Sequence, residues 1–119
     1  MSPPTLPVPG PVWPTPEQAY ALAPNLIREI GWTARTARLA ASELFREEDA
    51  REYWLRKAAL LDRIALHDES DGIHDNDAAE LAEAAAAHLI DTDQARDPAT
   101  DADPRGYIRQ EYARWIRHH

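Results

Sequence analysis

The stretch from Glu52 to Leu66 constrains the fold more than any other, because its side chains are apolar in almost every direction around a helix axis. At about 100° per residue, these apolar side chains form three adjoining stripes. An isolated helix of this length is only marginally stable in water and depends on packing. We therefore predict a central helix that other helices cover from several sides. The stripes are Trp54, Ala58, Leu61 and Ala65; Tyr53, Leu60 and Ile64; and Leu55, Ala59 and Leu66; the polar strip is Glu52, Arg56, Arg63 and His67.

Chain size and composition narrow the class of protein. With 119 residues, the chain can bury roughly two-thirds of its unfolded surface and does not require disulfides to be stable. It contains no cysteine, which excludes disulfides, thiol catalysis and thiolate metal sites. No apolar run reaches the length of a membrane span, and no leader-like segment is recognisable. We expect a cytoplasmic protein without membrane attachment. Its many alanines and single lysine are typical of a GC-rich bacterial genome.

The net charge of −8 is unevenly distributed along the chain. Residues 1–67 are neutral, whereas residues 68–103 contain twelve acids against Arg96 alone, a charge of −11. Residues 104–119 contain four arginines against Glu111, a charge of +3. Because phosphate contacts require concentrated positive charge, direct nucleic-acid binding is disfavoured. The asymmetry also predicts that the basic C-terminal helix folds back near the acidic segment.

The N-terminal segment is rich in proline. Seven of the ten prolines lie in residues 1–16, which excludes a helix or a central strand there. We predict an extended arm over residues 1–14 and a single helical domain over residues 15–119. Val12 and Trp13 are expected to pack against that domain; the alternative is that the PxxP patterns bind the aromatic groove of a partner.

A first helix is predicted to begin at Thr15, because Thr15 can cap it, Pro16 suits its first position and Gln18 can complete a capping box. An apolar stripe then continues for seven turns. Pro24 interrupts this helix, and we favour a kink over two separate helices. The stripe is Ala19, Ala23, Leu26, Ile30, Ala34, Ala37, Ala41 and Leu44.

Three further helices follow from capping signals. Asp49 with Glu52 predicts the start of the central helix, although one uninterrupted rod from Pro24 to Leu66 is an alternative. Asp77 with Glu80 predicts a helix to about Ile90, and Asp103 with Pro104 predicts the last helix. The stretches 67–76 and 91–102 are read as polar loops. The fold class is therefore all-α, a small bundle of about four helices with an extended Pro-rich N-terminal arm.

The side of the first helix opposite the stripe is unusual. Trp32 and Leu39 lie there, and an amphipathic helix has no internal reason to expose a tryptophan and a leucine together. Either another part of the chain covers them, or they form an interface, for which tryptophan with arginine is typical. The predicted partner-binding residues are Arg28, Trp32, Arg35 and Leu39, with Tyr112 and Trp115 as neighbours.

No catalytic, cofactor or metal site is predicted. The loop around Gly72 resembles a calcium loop, but His67 and Ala78 occupy the positions where acids are required. His67 and His74 could bind zinc or nickel, yet a solvated acidic loop is the better interpretation. His88 is expected to be half-buried beside the core, and no nucleophile is identifiable for it to activate.

These observations favour a non-enzymatic protein–protein interaction or regulatory module that binds an unidentified protein or itself. The first alternative is an acidic inhibitor that mimics nucleic acid, with Asp68 to Asp103 occupying the basic groove of a DNA-binding protein. The second alternative is a small ligand-binding or enzymatic bundle with His88 in a pocket.

Overall fold

The computed structural model describes residues 13–42, 46–73 and 77–119, and over these residues the chain is a bundle of α-helices without strands. This confirms the all-α prediction. The arm, apart from Trp13 and Pro14, lies outside the described residues, as do His74 and the end of the predicted apolar stripe. In chain order the helices are α1 (Pro16–Ala19), α2 (Leu26–Ala40), α3 (Glu47–Ser70), α4 (Asp77–Thr92), α5 (Pro98–Ala102) and α6 (Pro104–Ile116).

The bundle is organised around α3, as predicted. Helices α2, α4 and α6 pack against α3, and α4 also packs against α6. Tyr53 and Leu60 lie on one apolar side of α3 and are each only 6% exposed, so that side is buried within the chain. The core joins three residues from each of three helices: Leu55, Ala58 and Ala59 of α3; Ala86, Leu89 and Ile90 of α4; and Tyr107, Ile108 and Tyr112 of α6.

The helix starts follow local capping chemistry. The Thr15 side chain accepts a hydrogen bond from the Gln18 N–H, and Gln18 closes the predicted capping box of α1. Asp103 caps α6 by accepting from the Gly106 N–H at 3.0 Å, again as predicted. Helix α4 begins at Asp77 and extends two residues beyond the predicted end at Ile90.

Four predicted boundaries are wrong. One is the end of the central helix, which continues to Ser70 although residues 67–76 were predicted to form a loop. The chain does not continue as a kinked helix through Pro24: α1 ends at Ala19, and Asn25 caps a separate helix α2 by accepting from the Arg28 N–H at 2.9 Å. The central helix begins at Glu47 rather than at the predicted cap Asp49. The predicted loop 91–102 contains α5, which Asp97 caps through a capping box with Thr100.

Trp13 attaches the start of the described chain to α6. Its ring meets the ring of Tyr107 edge-on, with 6.4 Å between the centroids. The indole also lies directly over Gly106, where a Cβ atom would be 2.6 Å from Trp13 Cγ. The predicted packing of Trp13 on the bundle is therefore confirmed, and the absence of a side chain at position 106 makes room for it.

Candidate functional site

The orientation of α2 differs from the prediction. Ile30, Ala34 and Ala37, which were expected to face the core, are exposed, and Ile30 is 47% exposed. The residue that faces α3 is Glu29, at 2% exposed. Ile30 follows Glu29 by one residue and so lies about 100° around the helix. The apolar stripe of α2 is therefore turned about a quarter of a revolution away from the bundle.

A buried ion pair fixes this orientation. Arg56 donates from Nε to Glu29 Oε1 at 2.7 Å and from Nη2 to Glu29 Oε2 at 2.9 Å, and it also bonds Glu52 at 3.1 Å. Burial alone would lower the pKa of Arg56, but the bonds and charges of Glu29 and Glu52 outweigh burial and raise it. The strip of α3 predicted to face water is thus the strip on which α2 packs, because Glu29 brings the matching charge.

Arg56 also connects two tryptophans. Its guanidinium carbon lies 3.5 Å from the centroid of the Trp32 ring and 5.2 Å from that of Trp115, both within cation–π distance. The Trp115 ring in turn lies 5.5 Å from that of Tyr112. The chain itself therefore covers one side of Trp32, and Trp32 remains partly exposed on the other side.

The predicted partner-binding residues of α2 share one side of the helix. Arg28, Trp32, Arg35 and Leu39 follow one another by four, three and four residues, which is the spacing of a single face. Arg28 and Arg35 are exposed, and Leu39 is 60% exposed. A groove of about 230 Å³ runs along this face, and its lining includes Ile27, Arg28, Trp32 and Arg35. We call the four predicted residues Arg28, Trp32, Arg35 and Leu39 the arginine–tryptophan face.

The structure corrects the role of the two C-terminal aromatic residues. Tyr112 is 1% exposed and belongs to the core, so it is not available to a partner. Trp115 is partly exposed and reaches Arg56 from behind. Both residues therefore support the arginine–tryptophan face from within the bundle, because α6 packs on the same helix α3 that carries Arg56.

The arginines of α2 differ from most other bases in the chain. Six arginines on other parts of the chain form ion pairs with carboxylates within 4.0 Å. Within the described residues, Arg28, Arg35 and Arg38 of α2 form none. Arg28 occupies the third position of the helix, where the helix dipole favours an acid over a base. This side of α2 is thus a positive surface on an acidic chain. The six paired arginines are Arg51, Arg56, Arg96, Arg105, Arg109 and Arg114.

A second buried cluster, which the sequence did not reveal, fixes α6 and α1 to α3. Asp62 is 0% exposed and accepts hydrogen bonds from Arg105 Nε at 2.5 Å and from Arg109 Nε and Nη2 at 2.9 Å each. The Tyr20 hydroxyl donates to the same carboxylate at 2.5 Å. Burial, then the charge and hydrogen bond of Asp62, raises the pKa of Tyr20. The available signals were that Asp62 is the one acid between Tyr53 and Leu66, the most apolar part of α3, and that Arg105 and Arg109 are spaced by four residues.

Half of the twelve acids in the acidic segment pair with arginines or cap helices, and one of these pairs is the predicted contact with the basic C-terminal helix. Glu69 pairs with Arg105 at 2.8 Å. Asp93 binds Arg51 at 2.8 Å and accepts from the Tyr107 hydroxyl at 2.8 Å. In the described part of this segment, the exposed acids that neither pair with Arg or Lys nor cap a helix are Asp71 and, on α4, Asp77, Glu80 and Glu83. The acids with internal roles are Glu69, Asp91, Asp93, Asp97, Asp101 and Asp103; Asp91 and Asp101 bind Arg96, and Asp97 and Asp103 cap helices.

His88 lies at the surface rather than half-buried in the core. Its ring rests against the indole of Trp54, with 4.4 Å between the centroids. The buried members of α4 are instead Ala82, Ala86, Leu89 and Ile90. Across the three described ranges no group of three His, Asp or Glu side chains is arranged to hold a metal ion.

Comparison with known proteins gives no further identification. Neither the scan against protein-family models nor the searches of curated proteins and of solved structures finds a match to this chain. Of the helices in the described ranges, none has both the length and the apolar composition needed to cross a membrane.

Proposed function

We propose that the chain is a non-enzymatic, helical protein–protein interaction module of the bacterial cytoplasm, and that its binding surface is the arginine–tryptophan face of α2. The observation that supports this best is the contrast between the bases of α2 and the six paired arginines elsewhere. Unpaired arginines beside a partly exposed tryptophan are typical of interface centres, where desolvation strengthens each contact.

The architecture behind this face supports the proposal. Trp32 is held from behind by Arg56, which also contacts Glu29, Glu52 and Trp115. A side chain that is already fixed loses little conformational entropy on binding, and immobilising a free one costs about 0.5–1.5 kcal/mol. Arg28 and Arg35, one on each side of Trp32, are placed to bind carboxylates at the rim, which would steer an acidic partner.

Site-specific photocrosslinking in cells that carry the native gene tests this function. A benzophenone amino acid at Leu39 should crosslink one defined protein, and the same group at the exposed Ala102 of α5 should not. Arg28→Glu with Arg35→Glu should abolish the crosslink at position 39. The matched control, Arg46→Glu with Arg117→Glu, makes the same charge change at exposed arginines elsewhere and should leave the crosslink intact. Equal crosslinking at both positions, or none at position 39, would refute the proposal.

Nucleic-acid mimicry, the first alternative, has less support. A mimic requires a continuous surface of free carboxylates, but half of the twelve acids in residues 68–103 cap helices or pair with arginines. The second alternative, a pocket around His88, has less support still, because this ring rests on Trp54 at the surface.

A further inference from the structure

The outward stripe of α2 is a second apolar surface that the arginine–tryptophan face does not include. Ile27 is 84% exposed and Ile30 is 47% exposed, and Ala34, Ala37 and Ala41 continue the stripe toward the end of the helix. Exposed isoleucines on the apolar side of an amphipathic helix are unusual unless another surface covers them. The small alanine side chains would allow a second helix to approach closely.

The charges around this stripe have one sign. Arg35 and Arg38 border it, both are exposed, and the acid of the described helix, Glu29, is buried in its pair with Arg56. If two copies of α2 met in a twofold pair, their arginines would face one another with no carboxylate between them. Because like charges across an interface repel each other, the surface that matches this one is acidic.

Helix α4 presents that matching surface. Leu81 is 55% exposed in the middle of its outer side, next to the exposed Ala84. Asp77, Glu80 and Glu83 are exposed around this leucine, and α4 contains no Lys or Arg. At 15 and 16 residues, α2 and α4 are also nearly equal in length. One surface is apolar and basic, and the other is apolar and acidic.

Within one chain the two surfaces cannot meet. Helix α2 contacts α3 through Arg56, and α4 contacts α3 through Trp54, whose ring lies 4.4 Å from that of His88. Arg56 and Trp54 are two residues apart, which places them about 200° apart around α3. The outer sides of α2 and α4 therefore face away from each other on opposite sides of α3.

We propose that the chain self-associates head to tail, with the α4 surface of one copy packed on the apolar stripe of α2 in the next. Leu81 and Ala84 would cover Ile27, Ile30 and Ala34, and Glu80 and Glu83 would bind Arg35 and Arg38. Because each copy keeps one surface of each kind free, this arrangement is heterologous and adds copies in a row unless it closes into a ring. The inference goes beyond the proposed function, because it assigns a second copy to the outward stripe of α2 and leaves the arginine–tryptophan face to the partner proposed above.

Charge reversal provides the test. Light scattering of the purified full chain at about 0.15 M salt, which screens the repulsion between chains of charge −8, should show a mass that rises with concentration. Arg35→Glu with Arg38→Glu should weaken self-association at least about tenfold, as should Glu80→Arg with Glu83→Arg. An equimolar mixture of the two variants should restore it, because each then offers a surface complementary to the other.

Two controls exclude indirect effects. Glu47→Arg with Glu48→Arg makes the same charge change in the first turn of α3 and should not alter self-association. Because the chain has no cysteine, a mixture of Ala34→Cys and Ala84→Cys chains should oxidise to mixed disulfides in preference to either same-chain pair.

The inference would be overturned by a wild-type protein that is monomeric at every concentration. It would also be overturned if Glu80→Arg with Glu83→Arg left self-association unchanged. The proposed function fails separately, if Leu39 crosslinks nothing, because Leu39 lies on the arginine–tryptophan face and not on the stripe that the second copy would cover.

Discussion

The carboxylate of Glu29 and the guanidinium of Arg56 form a two-point ion pair, 2.7 and 2.9 Å long, between α2 and α3, and both side chains are largely shielded from water. This pair determines which side of α2 faces the bundle. It thereby decides that Trp32 lies at the edge of the contact and that the isoleucines of α2 face outward.

Loss of Glu29 should be costly. Glu29→Ala leaves Arg56 buried with Glu52 as its remaining acid, and breaking a buried pair costs about 3–5 kcal/mol. We expect the free energy of unfolding, measured with urea, to fall by an amount near the lower end of that range. Glu29→Leu with Arg56→Met should recover most of it, because removing both charges leaves neither unpaired. A double variant as unstable as Glu29→Ala would contradict this account.

Asp62 should matter more than any exposed acid. Asp62→Asn removes the charge that two arginines and Tyr20 share, so we expect about 3–5 kcal/mol of destabilisation. The control is Asp91→Asn, which removes an exposed partner of Arg96 and should change the free energy of unfolding far less, because solvent screens an exposed ion pair. Urea unfolding of both variants gives the comparison, and similar losses would disprove a special role for Asp62.

Two neighbouring tyrosines should respond with opposite signs. The rings of Tyr20 and Tyr112 lie 5.3 Å apart, but the Tyr20 hydroxyl donates to Asp62 and the Tyr112 hydroxyl has no partner among the described residues. Tyr20→Phe should therefore destabilise the fold by about 1–3 kcal/mol. Tyr112→Phe should stabilise it by about 1 kcal/mol, because it removes a buried unsatisfied group. Thermal unfolding at neutral pH distinguishes these outcomes, and a loss in Tyr112→Phe would indicate a hidden partner.

Alkaline pH should destabilise the folded chain. Burial, followed by the charge of Glu29, raises the pKa of Tyr112 from its ordinary value of 10.0 to about 12. The folded state thus holds this proton more tightly than the unfolded state does, so the linked stability is complete below pH 10 and declines as pH rises toward 12. Tyr112→Phe should show a shallower decline in the free energy of unfolding over this interval. An equal slope in both proteins would rule out a contribution from Tyr112.

Replacing Gly106 or Gly31 by alanine should change the free energy of unfolding in opposite directions. Gly106→Ala would place a Cβ 2.6 Å from Trp13 Cγ and 2.7 Å from Asp103 Oδ2, so Trp13 must leave α6 or the cap must break. We expect a loss of about 1–3 kcal/mol and a change in near-ultraviolet dichroism. Gly31→Ala meets only the end of the Arg35 side chain, at 3.1 Å, and should gain about 0.5–1 kcal/mol from helix propensity. A gain in both variants would show that Trp13 does not need the space above position 106.

Local chemistry made most of the fold predictable from the sequence. The caps at Thr15 and Asp103 lie next to the turns they start, and the apolar side chains on several sides of α3 indicated its central position. The same reasoning could have found α5, since Asp97 with Pro98 repeats the signal that was recognised at Asp103 with Pro104.

The candidate site was less accessible to sequence reasoning. Periodicity ranks the sides of α2 by hydropathy and therefore turned Ile30 inward, but the actual orientation depends on Glu29 meeting Arg56, 27 residues away. The Asp62 cluster likewise joins residues 43 and 47 positions apart. Such pairings depend on which charges meet after folding, and no local pattern encodes that.

Arg56 lies between the indole rings of Trp32 and Trp115, so a change at Arg56 affects the surroundings of both fluorescent side chains. Any event that shifts this one cation, whether a protein settling on Trp32 or a chemical change at Glu29, must alter the surroundings of Trp115 as well. The intrinsic fluorescence of the unlabelled protein can therefore report on occupancy of α2 from two emitters on different helices at once.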